Sequence, residues 1–405
     1  MLGAIHQRRL NTPWLHAKRC LSESIRCTRK TMMPLILSLS NARDISIPNK
    51  IFNTRGASPF MKINLNNMRL LIESTPGMGD LIMLTPALRE LKNQFPGCEI
   101  TIMSHPGNLK MVDRLPYVSR VCPIDKSVTG ILKTARLLHQ QDIIIFTTWQ
   151  SLYARMLKFL RVSFCAGVCK EKYLKRKYFH LVLPHLDSYG TQYRPQSIAN
   201  QLEQALGMQL SIDAHYDVST PTEEEWQSVK TKLHRLGRSL KEEKPYVVFA
   251  PVGRTSQAIP SSLVMAAIEH LQKNYPYEIV LSHDRPLPYP QSLIQQEGTN
   301  NIYDLSGCLS LRELIALLDR AQLVIATDSG PMHIACARKT PTIALFTTDV
   351  PSRWAGPFCH PISLHMPCSS TCNAEVVRTC LEKKCLTKIT PNMICSTIDQ
   401  VICSI

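Results

Sequence analysis

The chain has 405 residues, 44% hydrophobic and 19% charged, enough for two domains of ordinary size. No apolar run approaches the ~18 residues that a membrane-spanning helix needs. The net charge of +16 is uneven: residues 1–66 hold 11 Lys/Arg against only Glu23 and Asp44, which is +9 and leaves +7 for the rest. With no recognition motif beside that charge, a nucleic-acid partner is not expected.

Residues 1–67 are expected to form a basic, disordered leader. Its Arg-rich, acid-poor composition superficially resembles a transit peptide. An upstream misassigned start is the other reading, with Met61 or Met68 as the natural first residue. We favour a dispensable segment, so removal of residues 1–60 should keep fold and activity. Loss of soluble protein on truncation would show that the leader packs on the body.

Ordered signals begin at Met68–Ser74, which reads as a strand. Thr75-Pro76-Gly77-Met78-Gly79-Asp80 is a glycine-bearing turn. Leu81 to Phe95 follows with helical spacing at Leu81, Leu84, Leu88 and Leu91. Asp80 is either an ordinary N-cap or a carboxylate kept ionised at the mouth of a cleft. Strands are expected at 99–104, 121–124, 142–147 and 181–184, and helices at 130–140, 152–160 and 196–206. Lys170, Lys172, Lys175, Arg176 and Lys177, interleaved with Tyr173, Tyr178 and Phe179, read as a solvated face or as a patch for anionic lipid or sugar phosphate. Residues 68–220 would form one domain, and polar residues 221–244, with a helix at 223–236, would join it to a second at 245–360. The second alternation places strands at 246–250, 278–282, 302–304, 323–326 and 342–346, with helices at 261–274 and 311–320. Such alternation argues for parallel strands with helical crossovers.

The most informative stretch is Thr327-Asp328-Ser329-Gly330-Pro331-Met332-His333. It joins the apolar run Leu323–Ala326 to a helix-like run. Ser329 suits an N-cap, and Pro331 suits a first helical turn. The open amides and dipole there suit a phosphate, though a helix that binds nothing looks the same at this level.

Together the two turns resemble family 9 of the glycosyltransferases, the bacterial lipopolysaccharide heptosyltransferases. Gly79-Asp80 with Thr85-Pro86-Ala87-Leu88-Arg89-Glu90-Leu91 and Pro96 resembles the N-terminal motif, and 328–335 the donor-binding motif. Thr340–Phe346 and Asp349–Trp354 continue in the expected order, and the cysteine-bearing tail from Cys368 to Pro391 is similar to the family's end. The resemblance covers about residues 68–402. It implies a GT-B fold, two Rossmann-like domains facing across a cleft, and an inverting transfer of heptose from ADP-heptose to the inner core of lipopolysaccharide.

The resemblance further implies that Asp80 is the general base, on an acceptor-side loop with Gly77 and Gly79. Asp328, Ser329, Gly330 and His333 frame the donor diphosphate, and Asp284 falls near an acidic residue that meets the ribose. His333 reads equally as a helix residue packed against the sheet. No metal or cofactor is implied. The partners are a nucleotide-sugar donor and a lipid-linked saccharide acceptor, which places the enzyme in the cytoplasm, at the inner face of the membrane.

One departure stands out. Gln257 occupies the position of a family lysine and Ile259 that of a tryptophan, ahead of Pro260. Gln cannot neutralise a phosphate, so Arg254 on the same loop is expected to supply the cation. This departure keeps two other readings open: a GT-B transferase with another donor or acceptor, and a nucleotide-sugar-binding protein with weakened catalysis.

Fifteen cysteines complete the inventory. Those at 98, 122, 165, 169, 308 and 336 are expected to be buried thiols. Seven crowd into 359–403, in a segment at 361–405 read as separate. The spacing there is not a standard zinc pattern, and reduced thiols or one or two disulfides are the favoured states.

Overall fold

A computed structural model describes residues 64–74, 77–160, 162–238, 244–253, 258–289, 301–347, 350–364, 366, 368, 380 and 384–404. The leader up to residue 63, with Met61, lies outside them, as do Arg254, Gln257 and most of 365–383.

The first half contains strands β1 (Arg69–Glu73), β2 (Glu99–Ser104), β3 (Arg120–Pro123), β4 (Ile143–Phe146), β5 (Phe164–Val168) and β6 (Leu181–Leu183). Its helices are α1 (Met78–Met83), α2 (Thr85–Gln94), α3 (Pro106–Leu109), α4 (Val128–His139), α5 (Ser151–Leu157) and α6 (Arg194–Leu206). Helix α7 (Glu223–Arg235) follows. The second half contains β7 (Tyr246–Ala250), α8 (Ser261–Asn274), β8 (Glu278–Leu281), β9 (Ile302–Asp304), α9 (Leu311–Asp319), β10 (Leu323–Thr327) and α10 (Gly330–Ala337). Then come β11 (Thr342–Phe346), α11 (Pro351–Trp354), β12 (Cys359–Ser363), α12 (Lys384–Thr387) and α13 (Pro391–Ile402).

All pairings are parallel, and the sheet orders are β3-β2-β1-β4-β5-β6 and β12-β11-β10-β7-β8-β9. Read from β9, the second sheet repeats the first. Each half is a doubly wound sheet whose strand order reverses between its first and fourth strands. Ligands of such sheets bind outside the carboxyl ends of the strands at that reversal. The crevices therefore lie at residues 74–80 with 147–150 in one half, and after β7 and β10 in the other.

Near-continuous apolar strands such as Ile143–Phe146 and Tyr246–Ala250 are buried on both faces, as parallel sheets require. One apolar cluster runs from Leu70, Ile72 and Leu81 through Tyr216, Val218 and Trp226 to Val248, Val324 and Ala335, so the halves share a core. Leu65, inside the stretch read as leader, is fully buried. Helix α7 lies in the stretch read as a joining segment. Its Thr222/Glu225 capping box fixes its start, and Trp226, Val229 and Leu233 are buried.

Several expectations need correction. The helix expected over 81–95 is two helices broken at Leu84, because Pro86 has no N–H and the Thr85 hydroxyl donates to the Ile82 carbonyl at 2.6 Å. Strands β5 and β12 were not anticipated; Gly167 in one and Pro361 in the other weaken the strand signal. Helix α13 was not anticipated either. It buries Ile394, Ile398 and Val401 in the second half's core beside α8, so the tail is not an appendage there. Cys98, Cys165 and Cys336 are buried, but Cys308 is exposed in the turn after β9, and Cys122 and Cys169 are half-buried. The described cysteines are free thiols.

Candidate active site

The two crevices meet face to face. Helix α1 starts at Gly77 and α10 at Ser329. Both residues are extended, and neither gives its helix a side-chain cap. The Ser329 hydroxyl instead donates to the Thr327 carbonyl at 3.1 Å and accepts from the Thr327 hydroxyl at 3.2 Å. Ser329 therefore caps by position only. Among the described residues no side chain is seen to bond the first-turn amides of α10, the geometry an anion would exploit.

Contact between the helices explains both glycines. A Cβ on Gly79 would stand 2.8 Å from the His333 ring, and one on Gly330 would stand 2.3 Å from the Met78 methyl. The imidazole is buried and wedged against Tyr216 and Trp354, whereas the Met78 thioether end can rotate away. Gly79→Ala should therefore cost about 1–3 kcal/mol, and Gly330→Ala clearly less. Urea unfolding of the two variants tests this; equal losses would show that the imidazole yields as easily as the thioether.

His333 is neutral. Burial drives its pKa from 6.5 down to about 4, and Asp328 at 3.9 Å is too far to reverse that. Between those values the unfolded chain takes up a proton that the native chain refuses. Stability is therefore full above the unfolded pKa and falls as pH drops toward the folded one. From about pH 7.5 to about pH 5 this group should remove about 2 kcal/mol. A His333→Gln variant should lack that part of the fall in urea midpoint; an identical pH dependence would show that the ring is charged in the native state.

A cavity of about 450 Å³ opens on the first half, lined by Asp80, Thr147–Gln150, His185–Asp187 and Arg194. Asp80 is the third residue of α1, not its cap, and is mostly buried. The Thr147–Gln150 part of the lining is held by Glu73 at the end of β1. Its buried carboxylate accepts from the Thr148 amide at 3.2 Å and from the Thr148 hydroxyl at 3.0 Å, and the Thr147 hydroxyl donates to its carbonyl at 2.7 Å. These bonds tie the loop after β4 to the end of β1, across the reversal point.

Arg194, the first residue of α6, is only 6% exposed. Its Nε lies 3.6 Å from Asp80 Oδ1, its Nη2 donates to Asp187 at 3.2 Å, and its guanidinium stacks 4.4 Å over the Trp354 ring. Nε and Nη1 are buried without a hydrogen-bond partner. Arg353 of the second half donates to the same Asp187 oxygen at 2.6 Å. Partial burial opposes charge on Asp187, but the bonds from Arg194 and Arg353 outweigh it and hold the carboxyl below its usual range. A charged chain thus runs from Asp80 through Arg194 and Asp187 to Arg353, across the cleft.

The structure brings Gly77, Gly79 and Asp80 together with Ser329, Gly330 and His333 across the contact of α1 with α10. Asp328 follows β10 directly and is largely buried. Asp284 follows β8, exposed and paired with His283 at 3.0 Å. The loop with Arg254 and Gln257 lies outside the described residues, while Ile259 beyond it is buried and donates its amide to Pro251 at 2.8 Å. Among the described residues no cluster of three or more His, Cys, Asp or Glu could hold a metal. Sequence reasoning missed Glu73, Thr147–Gln150, Asp187 and Arg194. Only Arg353 and Trp354 carried a signal, inside a quoted motif.

Two doubly wound halves with opposed switch points define a GT-B architecture, with a carboxylate on one side and an uncapped helix start on the other. The model for glycosyltransferase family 9 (heptosyltransferase) matches residues 133–386, and the chain belongs to that family. It is a glycosyltransferase. Lipopolysaccharide heptosyltransferase 3 of Escherichia coli K12 is 26% identical over 340 residues, covering 75% of this chain and 94% of the relative. Lipooligosaccharide heptosyltransferase 2 of Haemophilus influenzae is 24% identical over 301 residues, 70% of this chain and 84% of the relative. A family 9 glycosyl transferase from Veillonella parvula shares the fold at TM-score 0.70 and 19% identity, over 86% of this chain and 100% of its own. So does the Escherichia coli heptosyltransferase WaaC with ADP, at TM-score 0.60 and 18% identity, over 82% of this chain and 100% of its own.

Proposed function

We propose that the chain transfers heptose from ADP-heptose to the inner core of lipopolysaccharide, inverting the anomeric centre. The carrying observation is Asp80, set in the first half's cavity on α1, the helix that packs against the start of α10. The acceptor hydroxyl gives its proton to the Asp80 carboxylate as its oxygen bonds to the anomeric carbon. The bond from that carbon to the diphosphate breaks, and the electron pair leaves with the diphosphate. A positioned base contributes ~10²–10⁴-fold. The first-turn amides of α10 and the Ser329 hydroxyl stabilise the departing charge. The helix end supplies only about half a charge, so a cation completes the site; Arg254 takes that role in this reading, since Gln257 cannot. His333 packs the turn, and Asp284 lies at the ribose end.

The acceptor is lipid-linked, so the enzyme works at the cytoplasmic face of the inner membrane. Among the described residues no helix is long and apolar enough to cross a membrane. Gln257 in place of lysine favours one competing reading, a different sugar or acceptor. A thermal-shift screen with ADP-, GDP- and UDP-sugars separates them. Selective stabilisation by ADP-heptose is expected, about 2.7 kcal/mol at ~100 times the dissociation constant. Preference for a UDP- or GDP-sugar would overturn the proposed donor.

A further inference from the structure

Six large apolar side chains stand more than a third exposed among the described residues, and three of them fall within 174–182. Leu174 is 44% exposed, Leu181 37% and Val182 46%. Leu174 belongs to a 3-10 turn (Glu171–Arg176), and the other two to β6, the edge strand of the first sheet. Exposed Lys170, Lys172 and Lys177 lie in the same stretch of chain, and Glu171 is the lone acid from 170 to 182. Exposed leucine and valine set among lysines are poorly served by water alone, yet suit a bilayer's interface, which offers apolar depth below anionic headgroups.

The segment is firmly seated. Tyr178 and Phe179 are buried, and Phe179 packs so closely on β5 that a Cβ on Gly167 would stand 2.7 Å from its ring. Tyr173 stacks on Trp149 at 5.1 Å, with Lys172 Nζ 5.3 Å from the Tyr173 centroid. Trp149 also lines the cavity that holds Asp80. One aromatic layer therefore separates the basic, apolar-tipped surface from the acceptor cavity.

We infer that the exposed side chains of Lys170, Lys172, Leu174, Lys177, Leu181 and Val182 dock the enzyme on an anionic phospholipid bilayer and present the cavity to a saccharide anchored there. This rests on the reading of a lipid-linked acceptor and names the surface that meets the lipid. Each lysine near such a membrane adds roughly a five-fold gain in partitioning. The attraction fades once salt shortens the screening length to a few ångströms.

Flotation of the full chain with vesicles of phosphatidylcholine, alone or with about one third phosphatidylglycerol, tests the inference. Binding to the anionic vesicles should exceed binding to the neutral ones at least ~10-fold and fall with salt. The triple variant Lys170→Glu, Lys172→Glu, Lys177→Glu should lose at least ~10-fold, and Leu174→Ser with Val182→Ser a few-fold. Stabilisation by ADP-heptose should be unchanged in both variants, which separates failure of this surface from failure of the donor reading. Equal vesicle binding by parent and variants would overturn the inference, since the basic leader or another face would then carry it. So would variants that lose a soluble, deacylated acceptor but keep the vesicles, because the patch would then read saccharide rather than lipid.

Discussion

Asp80→Asn is expected to lower turnover by at least ~10²-fold while leaving ADP-heptose affinity within about two-fold. The amide is nearly isosteric with the carboxylate, so the 450 Å³ cavity keeps its shape. What is lost is the basic oxygen and a full negative charge. Donor affinity should hold because the turn assigned to the diphosphate belongs to the other half, at Ser329 and Gly330. A stability change is also expected, since a carboxylate in the first turn of α1 gains up to about 1 kcal/mol from the dipole. Rates must therefore be compared per folded molecule, with calorimetry for donor affinity. An Asn variant that transfers at the parental rate would reduce Asp80 to a helix-start residue.

Much of this architecture could be read from the chain. Strands β7, β9 and β11 and helix α8 are uninterrupted apolar or amphipathic stretches bounded by turn residues, and their limits agree with expectation. Both switch-point turns were visible because each couples a strand end to glycine and a helix start within a few residues. Elements that escaped notice have weak local signals and strong tertiary support. Strand β5 carries Gly167, whose missing side chain makes room for Phe179. Strand β12 contains His360 and Pro361, yet pairs along its length with β11. The opening of α6 at Arg194-Pro195 reads as a loop until tertiary contacts bury the guanidinium.

The same logic governs the site. Asp80 and the 328–333 turn announce themselves by sequence context. Glu73, Asp187 and Arg194 do not, because their roles exist only between elements. Glu73 is one polar residue at a strand end until Thr147 and Thr148 arrive from 74 and 75 positions away. Asp187 matters because arginines of the two halves converge on it. A constellation assembled across a cleft leaves no spacing in the chain to find.

Arg194 gives the second large expected effect. Replacing it by Gln should reduce turnover at least ~10-fold, with the Michaelis constant for ADP-heptose changed only a few-fold, and Arg194→Lys should fall between. The gross attraction between unit charges at the Arg194–Asp80 separation of 3.6 Å is on the order of 4 kcal/mol at the dielectric typical of partly buried pairs. Desolvation offsets much of it. Removing one partner, however, leaves the other buried and uncompensated, which commonly costs 3–5 kcal/mol. Asp80 would then lose the cation that fixes its carboxylate in the cavity, and Trp354 would lose the plane stacked on it. Lysine restores a charge but not the planar fork that reaches Asp80, Asp187 and the ring together. Stability loss alone would not identify a positioning role, so the deciding quantity is the rate per folded molecule. Arg353→Ala is the internal comparison: it removes the outer bond to Asp187 while leaving Arg194 beside Asp80, and should cost less turnover. If Arg194→Gln turns over at the parental rate once corrected for folding, the guanidinium only fills the interface, and Asp80 needs no cationic neighbour.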